Sequence, residues 1–446
     1  MNVSAEELSS VFEEYFGLDL AESVVRTEII LAKTDKERFD KTKAQYELNL
    51  VSHRNRVEAA KRLYITDEYI LYLQTSFPRS VLSEVKEESG KYYPICTIDE
   101  IKRIERPGTA DDHLLRLRAD SIMEHPRLIR MFLKRRELRP KGWSLTSYYK
   151  TREFDRYISH LPEEKKAICR AIPAGYILSR EPHGFCLNTE FGKVVVLSES
   201  LKHFLYFMNV FMYAELFELA TDDGIAALII AVRTMLLTET PDFDIDPRGD
   251  IPLKAKRYCE RVVRTQLQFI IGHEYAHALL GHFDSLAKIS DAPERMFMHG
   301  KNSSEKWYNP RQQQEFDADA GSLLQADYSD EECAHVINAA TIFFAQLELY
   351  YAVSDYINPP FNPSSTHPSP IDRIWALRKT VSNARNISQE LLYTDEEVGS
   401  IIAFVNDFNE LMRKEVLPFS IEMFERYGSH YLPTYRGEPL SDRFDY

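Results

Sequence analysis

The chain has 446 residues, long enough for two or three domains and a full hydrophobic core, and its 44% hydrophobic and 28% charged residues suit a folded globular protein. A formal charge of -14 excludes a general nucleic-acid binder, because phosphate recognition rests on an excess of Lys and Arg. Five cysteines, Cys96, Cys169, Cys186, Cys259 and Cys333, contain no CxxC pair, which excludes a zinc ribbon or a disulfide framework and suits a reducing compartment.

The N-terminus, MNVSAEELSSVFEEYFG, is polar and acidic and has no basic segment leading into an apolar one, so it does not read as an export signal. From Met1 to Ser76 there is no proline, and the charge-rich stretch from Glu22 to Leu63 has apolar residues at mixed three and four spacing. This predicts a helical N-terminal region of helical-hairpin type. The basic run PRLIRMFLKRRELRPK, Pro126 to Lys141, reads as a solvated helix face, with a binding patch for an acidic partner as the competing reading. In HGFCLNTEFGKVVVLSES, His183 to Ser200, two β-prone runs flank a polar turn and predict a hairpin. The apolar segments Phe204 to Ala220 and Gly224 to Leu237 are too short, or too interrupted by Asn209, Glu215, Glu218 or Arg233, to span a bilayer. They are expected to be core helices of a cytoplasmic protein without membrane insertion. The rest reads as mostly helical, apart from polar loops at Asp284 to Arg311 and Asn358 to Pro370.

The chemistry concentrates in IIGHEYAHALLGH, Ile270 to His282. His273 and His277 are four apart with Glu274 between them, a spacing that stacks two imidazoles on one helix face. A core helix gains nothing from this, since each buried polar ring needs a partner that Leu or Ala would not. The pattern fits H-E-x-x-H, with the histidines as metal ligands and Glu274 as general base. Such a site needs a third ligand. In QQEFDADAGSLL, Glu315 precedes Asp319 by four positions, so one helix face can offer Glu315 to the metal and Asp319 to the free ring nitrogen of His273. The competing reading is an exposed acidic helix start. His282, five after His277, is expected to be a helix-terminal residue or a support for a ligand rather than a ligand itself.

HEYAHALLGH, EFDADAGSLLQADYSDEE and STHPSPIDRI together resemble, in order, the three signatures of the HtpX-like zinc metallopeptidases, the family of the CAAX prenyl endopeptidases and the BepA-type proteases. The matching residues are His273, Glu274, His277 and His282; Glu315, Ala318 and Asp319; and Thr366, His367, Pro368, Arg373 and Ile374. The resemblance runs from Ala174 to Val381. It implies a gluzincin endopeptidase with one zinc per chain held by His273, His277 and Glu315, and with Glu274 as the base. It implies further that Val194, Val195 and Val196 form an edge strand that captures extended substrate, that His367 lies on a loop near the metal and serves catalysis, and that Arg373 pairs with a carboxylate beneath the site. Tyr350 and Tyr351 are weaker candidates than His367 for the oxyanion donor. Integral-membrane members have spanning helices, and this chain has no such segment by the reading above, so a prenylated protein is not the expected substrate.

The expected architecture is therefore α+β and predominantly α-helical: a helical region over 1–165, a zincin-type metallopeptidase domain with a small sheet or hairpin over 170–385, and a helical extension over 386–446. The expected partners are a protein or peptide substrate and a regulatory protein; a role in stress or phage defence follows by analogy with similar soluble zinc peptidases. The alternative is a zinc-stabilised scaffold that acts through its N-terminal helices.

Overall fold

The computed structural model describes residues 5–51, 63–123, 126–139, 141–179, 182, 184–235, 251–282, 310–357, 368–416, 434–435 and 438–439. The chain is predominantly helical with small sheets. Its helices of eight residues or more are α1 (Lys36–Val51), α2 (Ile98–Glu105), α3 (Ala110–Met123), α4 (Pro126–Glu137), α5 (Arg152–Ser159), α6 (Glu163–Arg170), α7 (Glu199–Met212), α8 (Thr221–Met235), α9 (Leu253–Leu279), α10 (Pro310–Leu324), α11 (Asp330–Ile357), α12 (Pro370–Arg385) and α13 (Asp395–Leu411). The strands are β1 (Ser23–Leu31), β2 (Leu63–Ile65), β3 (Tyr69–Pro78), β4 (Ala174–Ile177), β5 (Gly184–Thr189), β6 (Gly192–Ser198) and a short ribbon of β7 (Thr434–Tyr435) and β8 (Glu438–Pro439).

The N-terminal region departs from the expected helical hairpin. Among the described residues of that stretch only α1 is a long helix; β1, β3 and β2 form an antiparallel sheet in the order β1-β3-β2. The cause lies in β3, whose successive side chains alternate between two apolar surfaces. Ile70 and Tyr72 pack with Ile30, Phe39 and Leu63, while Tyr69, Leu71 and Leu73 pack with Val11 and Phe12. A period of two that satisfies both faces outweighs the helix-like spacing of the charges around it.

The second sheet has the order β4-β6-β5, with β4 parallel and β5 antiparallel to β6. The expected hairpin is therefore present as β5 and β6, but β6 is the central strand rather than an edge. Val194, Val195 and Val196 are fully buried, the first and third against Ala110 and Leu114 of α3 and the second in the main core. An unbroken apolar run is what a strand covered on both faces requires, so KVVVLS belongs inside the sheet. β5 is the terminal strand among the described residues.

One continuous core runs from Phe77 to Met412. It includes Phe132, Phe154 and Tyr157 beside Leu201, Phe269 and Phe344, and Leu392 and Val398 beyond them, so apolar packing crosses both of the expected boundaries near 165–170 and 385–386. At its centre α7, α9 and α11 are joined by a closed ring of amides. Asn209 Nδ2 donates to Gln266 Oε1 (2.8 Å), Gln266 Nε2 to Gln346 Oε1 (3.0 Å), and Gln346 Nε2 to Asn209 Oδ1 (2.9 Å). All three residues are fully buried. Gln266→Leu leaves one donor and one acceptor of the ring unmatched, at about 1–3 kcal/mol each; a urea titration should show a midpoint well below that of the unsubstituted protein.

The apolar segments read as core helices are α7 and α8, which pack in the main core. A different helix is long and apolar enough to cross a membrane by length and composition. That window, Asp330–Val353 of α11, has 83% of its residues buried inside the protein.

Candidate metal centre

The site is built by the close approach of α9 and α10. An added Cβ at Gly272 would lie 2.6 Å from the Tyr157 ring and 3.0 Å from the Ser322 carbonyl oxygen, so the bare glycine lets α10 lie against α9 one residue before His273. That approach brings the stripe of Glu315 and Asp319 onto the stripe of His273 and His277.

The Nε2 atoms of His273 and His277 are 3.1 Å apart; Glu315 Oε2 stands 3.5 Å from the first and Oε1 3.5 Å from the second. One donor atom from each of the three residues falls within a 4.8 Å span, an arrangement that could hold a metal ion. The other ring nitrogens are also engaged. His273 Nδ1 donates to Asp319 Oδ1 at 2.9 Å, which leaves Nε2 as the lone-pair nitrogen toward the common point. After α9 the chain turns at Gly281, with φ 69°, and returns buried His282 to His277, Nδ1 to Nδ1 at 2.8 Å. With Nε2 of His277 as its lone-pair nitrogen, Nδ1–H of His277 donates to His282. Two imidazoles and a carboxylate whose lone pairs converge repel one another unless a cation lies between them, so the donor set fits a metal ion.

Below the donors, Arg373 of α12 grips Asp319 with both arms, Nε to Oδ2 at 2.8 Å and Nη2 to Oδ1 at 2.7 Å. Its guanidinium also lies 4.7 Å from the Phe344 ring centroid and 3.7 Å from Glu315 Oε2. Ser369 caps α12 by accepting from Asp372 N, and Pro370 fills the first turn, which sets the helix start three residues before Arg373. Burial raises the cost of charge on Asp319, yet Arg373 and His273 hold its carboxyl below the usual range.

Burial also disfavours the imidazolium of His273, but the hydrogen bonds that it donates to the carboxylates of Asp319 and Glu315 outweigh it and raise that ring to about 10. Burial, then the neighbouring His273 charge, depress His277 to about 3. A proton and a metal ion therefore compete for His273. Apparent metal affinity is expected to fall roughly tenfold for each pH unit below about 10, with one proton released per ion bound. Competition against a chelating indicator at pH 6, 7 and 8 checks this; a flat profile would contradict the shared nitrogen.

Glu274 is 3% exposed and faces β5. An added Cβ at Gly184 would lie 2.5 Å from its Cγ and 2.8 Å from its Oε1, so the missing side chain in the first residue of β5 makes room for the Glu274 carboxyl. A cavity of about 400 Å³ opens over these groups, lined by Gly184 to Leu187 of β5, the metal-site residues, Phe343 and Leu347 of α11, and Tyr351. Gly184→Val is expected to push the Glu274 carboxyl aside while His273, His277 and Glu315 still bind metal. Elemental analysis of the variant tests this, with the metal content of the unsubstituted protein as the expected result.

His273, His277, Glu274, Glu315, Asp319 and Arg373 are thus in one place, and His367 lies outside the described residues. Val194, Val195 and Val196 do not line the cavity; the strand beside it is β5. Tyr350 packs on Phe204, centroids 5.5 Å apart, whereas Tyr351 lines the cavity. Gly184 belongs to none of the sequence motifs; the one signal it gives is that of a glycine opening a β-prone run, which marks close approach by another group. Comparison of the chain with protein-family models, with curated proteins and with solved structures gives no match.

Proposed function

We propose that the chain is a zinc-dependent endopeptidase of the gluzincin type, similar in its site to the HtpX-like metallopeptidases. The observation that carries this reading is the convergence of His273, His277 and Glu315 within 4.8 Å, with the Glu274 carboxyl beside them in a cavity walled by a terminal strand. Two imidazole nitrogens and one carboxylate, with a position left open, are the donor set of a catalytic rather than a structural zinc. His273, His277 and Glu315 would hold the zinc, which would supply Lewis-acid polarisation of the scissile carbonyl and activation of water near neutral pH.

The protein's own residues do the rest. Glu274 accepts the proton of the attacking water and delivers it to the leaving amine. An extended substrate segment lies along β5, where main-chain pairing gives affinity and Phe185 and Leu187 sort side chains. Asp319 and His282 fix the tautomers of the two histidines, and Arg373 keeps Asp319 ionised. Tyr351, on the cavity wall, offers a hydroxyl that can steady the developing oxyanion. A cytoplasmic regulatory protease acting on a protein substrate fits the sequence character described above.

The deciding experiment is metal analysis of the purified protein beside Glu315→Ala and Glu274→Gln. One zinc per chain, absent from Glu315→Ala and retained in Glu274→Gln, supports the reading. A protein that takes up no zinc even after reconstitution overturns it.

A further inference from the structure

The sheet beside the metal site offers an added chain a single pairing frame. β6 lies between β4 and β5, and Val195 N–H donates to the Pro173 carbonyl, on the β4 side, at 3.0 Å. The N–H and C=O of one strand residue point the same way, and those of the next point the other way. Val195 therefore turns its main chain away from β5, and the β5 residue in register with it, Cys186, exchanges no bonds with β6. Phe185 and Leu187, in register with Val196 and Val194, direct theirs to β6 instead. The N–H and C=O of Cys186 thus point outward from the sheet, where no strand pairs with β5 among the described residues. On that side lies the cavity over the metal donors, lined by Gly184 to Leu187.

The side chains of β5 divide in the same rhythm. Cys186 packs with Val195 and Leu197 in the main core, on the face where Gly184 meets the Glu274 carboxyl. Phe185 and Leu187 lie on the opposite face, partly buried in a small apolar cluster with Ala110, Leu114, Val194 and Val196. That cluster reaches its border at β5, and both residues also line the cavity.

We propose, resting on the endopeptidase reading above, that the site selects extended segments with apolar residues at two alternate positions, in the frame that Cys186 sets. In antiparallel pairing one substrate residue exchanges both main-chain bonds with Cys186. Its side chain then lies on the α9 face, and the side chains before and after it lie over Phe185 and Leu187, because directly opposed residues share a face. A slip by one residue would turn every substrate side chain to the wrong face. The residue that meets Cys186 is two positions, about 7 Å, from the one opposite Gly184 and Glu274. The same frame therefore fixes where the chain is cut.

The test starts from casein digested by the full zinc-loaded chain, with the cut sites read by mass spectrometry. Two alternate positions at a fixed distance from the cut bond should be apolar in most sites. A short peptide spanning the fastest site is then N-methylated at one residue at a time. Methylation of the residue between the two apolar positions should raise KM about tenfold with little change in kcat, since it removes the donor to the Cys186 carbonyl. Methylation of either neighbour, whose N–H points away from β5, should have little effect. Cys186→Pro, which removes an N–H that β6 does not use, should raise KM for the unmethylated peptide about tenfold at full zinc content. A flat response to methylation, or cut sites without the alternate apolar pair, would overturn the pairing frame and leave the endopeptidase reading standing. Casein left uncut would overturn the endopeptidase reading itself, and this inference with it.

Discussion

Glu274→Gln is expected to lower hydrolysis of an unfolded protein such as casein by about 10²–10⁴-fold, the usual worth of a positioned general base, with metal content unchanged. The amide has almost the shape of the carboxylate, so it keeps its seat against Gly184, and it is not one of the three donors. What it loses is the ability to take a proton from water and pass it to the leaving nitrogen. The prediction has two readouts that must separate. Loss of activity with metal retained assigns Glu274 to proton transfer. Hydrolysis at the original rate would sink that assignment, and loss of metal would show that the carboxyl supports the donors instead.

Asp319→Ala is expected to have the largest effect on the folded protein. Asp319 is 1% exposed and answers two charged or polar partners at once, the bidentate guanidinium of Arg373 and Nδ1–H of His273. Removing it leaves the Arg373 charge buried without its main partner, a loss of about 3–5 kcal/mol. It also frees the His273 ring to rotate, which for such supporting groups weakens metal binding about 10–100-fold. Denaturant titration with and without metal separates the two losses. Adding Arg373→Leu to Asp319→Ala should recover much of the stability, because the uncompensated charge leaves with it, but none of the metal affinity. A double variant no more stable than Asp319→Ala would show that the cost comes from something other than the stranded guanidinium.

The part of the site that sequence made legible is the part written in local periodicity. His273 with His277 and Glu315 with Asp319 are each four apart, so one helix face presents each pair, and apposing the two helices is enough to complete the set. That Arg373 pairs with a carboxylate was an expectation of the family resemblance alone, and only the packing of α12 on α10 shows that the carboxylate is Asp319. What stayed hidden is what depends on neighbours distant in sequence. Whether KVVVLS is an edge or a centre is decided by β4, ten or more residues upstream and parallel to it. Gly184 matters because a carboxylate from α9 arrives against it. The N-terminal sheet was hidden for a related reason: Val24, Val25, Ile29 and Ile30 are spread among charges, and only pairing with β3 reveals which of them face inward. The predominance of helix, by contrast, followed from long stretches with few helix breakers.

The crossing of the core over residue 165 bears on how the protein can be cut. Tyr157, on α5, stacks on Tyr275 with ring centroids 5.9 Å apart and an interplanar angle of 6°, and its hydroxyl donates to the Ser322 carbonyl at 3.2 Å. It therefore touches both helices that carry the metal donors, next to Glu274 on one and three residues after Asp319 on the other. A fragment beginning at residue 170 would keep every proposed ligand and the proposed base, yet would have a hole the size of a tyrosine behind them, and would lose Phe132 and Phe154 from the same core. Limited proteolysis near 165 should thus yield two pieces that remain associated, with the nicked complex rather than the excised fragment retaining the metal. The stretch from Phe77 to Leu161 shares its core with the site and forms part of its backing.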